Sequence, residues 1–149
     1  MIFGQPTTSL HDIFLSNFTI TQGFSIYTYN GNPHCGYSVS SIADINKDGY
    51  ADIIIGAYGI NNGVDVLGLC YVVYGNANIN ANINLDISSF TSLPQGFYIV
   101  GNGGNAGWSV SGAGDINGDG YSDFIIGAPN MNSNAGAAYV VFGNTVMNA

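Results

Sequence analysis

The sequence predicts an all-β protein built from two copies of a four-stranded antiparallel unit. Three observations carry this. The chain repeats itself: Gly36-Tyr37-Ser38-Val39-Ser40 returns 71 residues on as Gly107-Trp108-Ser109-Val110-Ser111, and such a period is the signature of a repeat architecture. Each copy breaks into short runs dense in β-branched and aromatic residues, punctuated by Gly, Asn and Pro. Apolar spacing of three and four is nowhere sustained, so helix content should be small.

The strands follow in order. Tyr37 to Ile42 alternates in part and reads as the first strand of the unit. Asp44-Ile45-Asn46-Lys47-Asp48-Gly49-Tyr50-Ala51-Asp52, which recurs as Asp115 to Asp123, connects it to the second. Asp52 to Ile55 is a continuous apolar run after its first residue, as expected of a strand covered on both faces; Ile54-Ile55-Gly56-Ala57 recurs as Ile125-Ile126-Gly127-Ala128. Tyr71-Val72-Val73-Tyr74 reads as the third strand, and the segment Cys70 to Gly75 returns as Ala138 to Gly143 at an offset of 68, the intervening loop being three residues shorter. Phe97-Tyr98-Ile99-Val100 reads as the fourth. The run Asn76 to Asn84 alternates strictly, yet its Asn content favours a loop wrapping onto the sheet edge. The organisation is therefore 1–35, the end of a preceding unit plus an outer strand; 36–101, a complete unit; and 102–149, a second unit lacking its outer strand.

Composition narrows function. The chain has 149 residues, nine acidic and one basic (Lys47), and a net charge of −8. There is no basic footprint for nucleic acid or an anionic membrane. Most acid–base and phosphate-handling enzymes lose their usual residues, so no catalytic residue is assigned and an enzyme is not expected. No apolar run reaches the ~18 residues of a membrane span, and Met1-Ile2-Phe3-Gly4 does not start a signal peptide. The chain reads as a mature segment or an excised piece. With so little charge, solubility rests on uncharged polar groups, and such surfaces associate readily.

Six of the nine Asp lie in the two nine-residue connections. Oxygen groups at positions 1, 3 and 5, a Gly at 6 and a carboxylate at 9 suit a hard, oxygen-seeking cation. The ligands are Asp44, Asn46, Asp48 and Asp52 in one loop and Asp115, Asn117, Asp119 and Asp123 in the other, with Tyr50 and Tyr121 offering main-chain carbonyls. Ile55 and Ile126 stand where an EF-hand needs its bidentate Glu, and the flanks are strands. The competing reading is a pair of Asx turns bonding their own backbones; three carboxylates in nine residues would then repel one another without return. Mg²⁺, which keeps several waters, fits less well.

Four strands per ~70 residues is the size of a β-propeller blade. The order Gly-aromatic-Ser-Val, Asp-x-Asn-x-Asp-Gly-x-x-Asp, Gly-Ala-Tyr or Gly-Ala-Pro, and Tyr-Val-Val-aromatic-Gly resembles the FG-GAP repeat of integrin α-subunit propellers. It is most similar to tandem versions in large secreted bacterial and protist proteins. The resemblance implies Ca²⁺ at both loops, an extracellular address and a role in adhesion or structure. Two Ca²⁺ would take the formal charge from −8 to −4.

Cys35 and Cys70 fall near the first and third strands, ~10 Å apart across the second, beyond ordinary disulfide reach, so two free thiols are expected. His11 and His34 lie in loops without a ligand pattern. Ser38 and Ser109 read as structural, Trp108 and the strand tyrosines as core, and Asn17-Phe18-Thr19 as the sole N-glycosylation sequon.

Two blades do not close a ring. Met1-Ile2-Phe3-Gly4 matches the end of a third strand and Gly23-Phe24-Ser25-Ile26-Tyr27 a fourth, so each end carries what the other lacks. Head-to-tail donation of Phe24–Thr28 to the Tyr139–Phe142 edge of another copy would restore a blade, giving a ring or filament. The alternatives are an excerpt of a larger integrin-like adhesion protein, and a sugar-binding, lectin-like propeller with glycans or cell-surface proteins as partners.

Overall fold

A computed structural model describes residues 15–17, 19, 23–28, 34–59, 67–77, 83–85 and 95–144. In chain order the strands are β1 (Ile26–Tyr27), β2 (Ser38–Ala43), β3 (Asp52–Ala57), β4 (Leu69–Val73), β5 (Ile83–Asn84), β6 (Gly96–Val100), β7 (Ser109–Gly114), β8 (Asp123–Ala128) and β9 (Ala137–Val141). Among the described residues helix is confined to a 3₁₀ turn at Leu15–Asn17 and a four-residue turn at Met131–Asn134, where Asn132 and Ser133 have left-handed φ. The four expected strands of the complete unit are β2, β3, β4 and β6, in that order across one antiparallel sheet. β7, β8 and β9 repeat the first three. The molecule is nearly all β, in propeller-like blades.

Register repeats as faithfully as sequence. Ser38 faces Gly56 as Ser109 faces Gly127, and Ile54 faces Val72 as Ile125 faces Val140. The pairing slips between Ser41 and Ala43, and again between Gly112 and Gly114. Each slip is a β-bulge that bends the strand end out of the ladder. Ala43 (φ 54°) and Gly114 (φ 72°) take the left-handed conformation there, and the acidic loop begins at the next residue.

The core lies on both faces of the first blade. β4 is buried along its whole length, and each fully buried Val, Leu or Ile stabilises by roughly 1.5–3 kcal/mol. On one face Ile42, Ile54, Cys70, Val72 and Tyr74 pack against Ala106, Phe124, Ile126 and Ala128 of the second blade. This seam is a backbone approach. Ser38 Oγ donates to the Gly107 carbonyl (2.9 Å), the Gly112 N–H donates to Ser40 Oγ (3.3 Å), and a Cβ on Gly56 would collide with the Gly107 carbonyl. The structural reading of Ser38 thus acquires a partner.

On the opposite face Ile55, Leu69, Tyr71, Val73 and Leu85 form a second cluster, flanked by Ile26, Ile83 and Cys35. Here the end of the Asn76–Asn84 run departs from the loop reading: Ile83–Asn84 pairs in parallel with Ile26–Tyr27. Ile83 gains burial against the blade, which the alternation alone does not reveal. Met1–Gly4 lies outside the described residues, and so does His11. Both cysteines are free. They belong to opposite faces of the blade, with β3 between β2 and β4.

The expectation that the strand aromatics are core holds for Tyr71 and Tyr74 but not for Tyr139, exposed on β9, nor for Tyr37 and Trp108, which are 51% and 40% exposed. The latter two stand just before β2 and β7, past the covered part of the sheet. There they pack on each other (5.0 Å between centroids) and on Tyr58, which stacks on His34 at 4.5 Å. The ring contacts run from blade to blade rather than inward.

Candidate metal centre

Each acidic loop hangs between a bulge and a buried carboxylate. In the first, Asp44 accepts from the N–H groups of Asp48 (3.1 Å) and Gly49 (2.9 Å), one on each oxygen. Asn46 Oδ1 also accepts from Asp48 N–H (3.1 Å), while its amide donates to Asp48 Oδ2 (3.0 Å). Asp48 Oδ1 accepts from Tyr50 N–H (2.9 Å). Gly49 makes the turn with φ 92°, a region that favours glycine.

The second loop copies this network. Asp115 accepts from Asp119 N–H (3.1 Å) and Gly120 N–H (2.8 Å), and additionally from Gly118 N–H (2.7 Å). Asn117 bridges to Asp119 in both directions, and Asp119 accepts from Tyr121 N–H (2.8 Å).

Position 9 is different in kind. Asp52 and Asp123 have no exposed surface. Asp52 accepts from Ile45 N–H and Gly75 N–H, both at 2.9 Å; Asp123 accepts from Ile116 N–H (2.7 Å) and Gly143 N–H (3.0 Å). Each therefore ties the start of its loop to the end of the third strand of its blade. Sequence spacing points to these residues as candidate ligands and misses the tie, because Gly75 and Gly143 lie 23 and 20 residues away. The recurrence of a Gly after each third strand was the available signal.

Burial pushes the Asp52 carboxyl up to about 6, against the lowering effect of its two N–H bonds, with the charges of Asp48 and Asp44 adding to the rise. These are three carboxylates in one neighbourhood. Among the described residues no three such groups already converge on one point. The chemistry of the donor set still fits a hard cation: every side-chain donor is oxygen, and a carboxylate that accepts up to three hydrogen bonds retains a lone pair for a metal. Holding an ion requires Asp44, Asn46 and Asp48 to exchange some N–H contacts for it. Their exposed or half-exposed positions permit that, except at Asn46, which is buried.

The loops differ in cover. Ile45 is fully buried where Ile116 is 56% exposed, since the second blade covers the first loop. Lys47 is the feature sequence reading passed over: its Nζ lies 3.7 Å from the centroid of the Tyr121 ring in the other loop.

Comparison with known proteins gives matches throughout this region. The FG-GAP repeat model matches residues 36–67 and 106–141, each segment containing one acidic loop. The phosphatidylinositol-glycan-specific phospholipase D of Bos taurus is 36% identical over 115 residues, covering 73% of this chain and 13% of that protein. Its Homo sapiens counterpart is 33% identical with the same coverage. Integrin alpha pat-2 of Caenorhabditis elegans is 34% identical over 126 residues, 74% of this chain and 9% of the integrin. The chain thus spans 13% or less of the length of these relatives. The phospholipase matches lie at the level of the repeats.

Proposed function

The chain belongs to the FG-GAP repeat family, and from that premise we propose that it is a calcium-stabilised, non-enzymatic propeller module of an extracellular adhesion or structural protein. The observation that supports this reading most is the duplicated acidic loop: two identical oxygen-donor sets, built on the same bulge and the same buried Asp tie, in a chain with one basic side chain to offset them. Among the described residues no helix is long and apolar enough to cross a membrane. The integrin relatives favour adhesion and an address outside the cell. A segment matching 9% of an integrin's length favours a part of a larger adhesion protein, with further blades completing the ring.

Because the loops take their form only in the folded chain, an ion bound there stabilises by mass action, about 2.7 kcal/mol at a hundredfold excess over Kd. Calcium should raise the melting temperature and a chelator should reverse it. Asp48→Ala and Asp119→Ala should each remove one of two binding events in calorimetry. An unchanged melting temperature on chelation defeats the reading.

A second reading rests on the ring cluster of His34, Tyr37, Tyr58 and Trp108. Exposed aromatic faces of this kind stack on sugars, so a lectin-like propeller is the alternative. A glycan array separates the two: specific sugar binding that Trp108→Ala abolishes would favour the lectin.

A further inference from the structure

Lys47 is the only Lys or Arg in the sequence, and it reaches out of its own loop into the other. It occupies the fourth loop position, where the second repeat has Gly118. Both adopt left-handed backbone, with φ of 60° and 75°, a conformation that glycine takes freely and a residue with a Cβ does not. The first loop therefore accepts a strained residue where its twin uses the unstrained one. Its ammonium stands against the face of Tyr121, 3.7 Å from the ring centroid, and 3.2 Å from where a Cβ on Gly120 would lie. These are the sixth and seventh positions of the second loop. The carboxyl of Asp119, the fifth position, is held below its ordinary range, first by the Tyr121 N–H bond and then by the Asn117 amide, with the Lys47 charge contributing. Gly118, at the equivalent position of the second loop, has no side chain to extend toward the first.

We propose that Lys47 makes the two acidic loops unequal as cation sites: its ammonium weakens divalent-cation binding at Asp115–Asp123 and couples that loop to Asp44–Asp52 across the seam. The inference rests on the calcium reading given above. A tethered positive charge beside the second loop already offsets part of its acidity, and it repels an arriving divalent cation by Coulomb's law. Salt screens that repulsion at an exposed site. The cation–π contact adds a link between blades that loosens when the ammonium is driven away.

The amides of Gly49 and Gly120 report the loops separately, since each donates to the first Asp of its own loop (Asp44 and Asp115). Nitrogen-15 NMR of the full chain during a calcium titration, in wild type, Lys47→Gln and Lys47→Arg, tests the inference. In wild type the Gly120 midpoint should lie at higher calcium than that of Gly49. Lys47→Gln should lower the Gly120 midpoint by about three- to tenfold at low salt, moving Gly49 far less, and the gain should shrink in high salt. Lys47→Arg, which keeps the charge, should stay near wild type. A Gly120 midpoint unmoved by Lys47→Gln while both loops still titrate overturns the inference and leaves the calcium reading standing. So does an equal shift at both glycines. If neither glycine responds to calcium in any variant, the calcium reading fails and takes this inference with it.

Discussion

Asp52 and Asp123 accept two main-chain N–H groups apiece, each tying the start of its loop to the Gly after a third strand. Replacing Asp52 with Ala strands the N–H groups of Ile45 and Gly75, each worth about 1–3 kcal/mol when buried without a partner. Asp52→Ala should lower stability in urea by about 2–5 kcal/mol even with a chelator present. Loss of stability seen only with calcium would mean that the residue acts solely as a ligand. The cysteines give an independent measurement. Burial pushes the Cys70 thiol up to about 12 and raises Cys35 as well, and Cys70 is almost wholly buried while Cys35 is only partly so. A thiol reagent at neutral pH should label Cys35 first, and Cys70 only at the rate of unfolding. Comparable labelling of the two would contradict the packing of Cys70 in the seam. At this scale the sequence displayed which residues are acidic and how they are spaced. Burial at the ninth position was hidden, because it depends on Gly75 and Gly143, brought in by the third strand of each blade.

Strands were legible because each is short, β-branched or aromatic, and ended by Gly or Asn. The bulges were not: Ile42 and Ala113 look like any strand residue, and only pairing shows that they have no partner. The aromatics misled for a related reason. Tyr37 and Trp108 occur at a repeated position, which usually signals core, but the repeat here places them where one blade meets the next. That seam has little room. Gly56→Ala would push a methyl group into the Gly107 carbonyl, and we expect it to cost about 1–3 kcal/mol. Gly36→Ala, at φ 84° with open space around its Cβ, should cost about 1–2 kcal/mol from backbone conformation alone. Differential scanning calorimetry should show the two blades melting together in wild type and separating in Gly56→Ala. A variant that still melts as one unit would mean that the apolar contacts, not the backbone approach, join the blades.

For the whole molecule, the 71-residue period foretold the architecture before any strand was placed. The partner of each outer face was not foretold, since a repeat shows what a blade offers and not what occupies it. β9 has β8 as its one neighbour among the described residues, and Tyr139, Val140 and Phe142 remain 42–48% exposed beside it. If Phe24–Thr28 of another copy adds to this edge, it must first leave its parallel pairing with Ile83–Asn84. Association should therefore be slow to start and concentration-dependent. A Pro at Ile26 should weaken it by removing a main-chain donor, and native mass spectrometry with calcium would read the loss. A chain that stays monomeric at high concentration is instead waiting for blades from its own polypeptide. The position of Lys47 has one more consequence, for resistance to proteolysis. Trypsin-like proteases cut after Lys or Arg, and this chain offers them a single bond, Lys47–Asp48. That bond sits inside a loop whose Asp48 and Gly49 N–H groups are bonded to Asp44 and whose lysine is laid over a tyrosine. Digestion must await local opening of the loop, so the one Lys–X bond of the chain is guarded by a contact between its two halves.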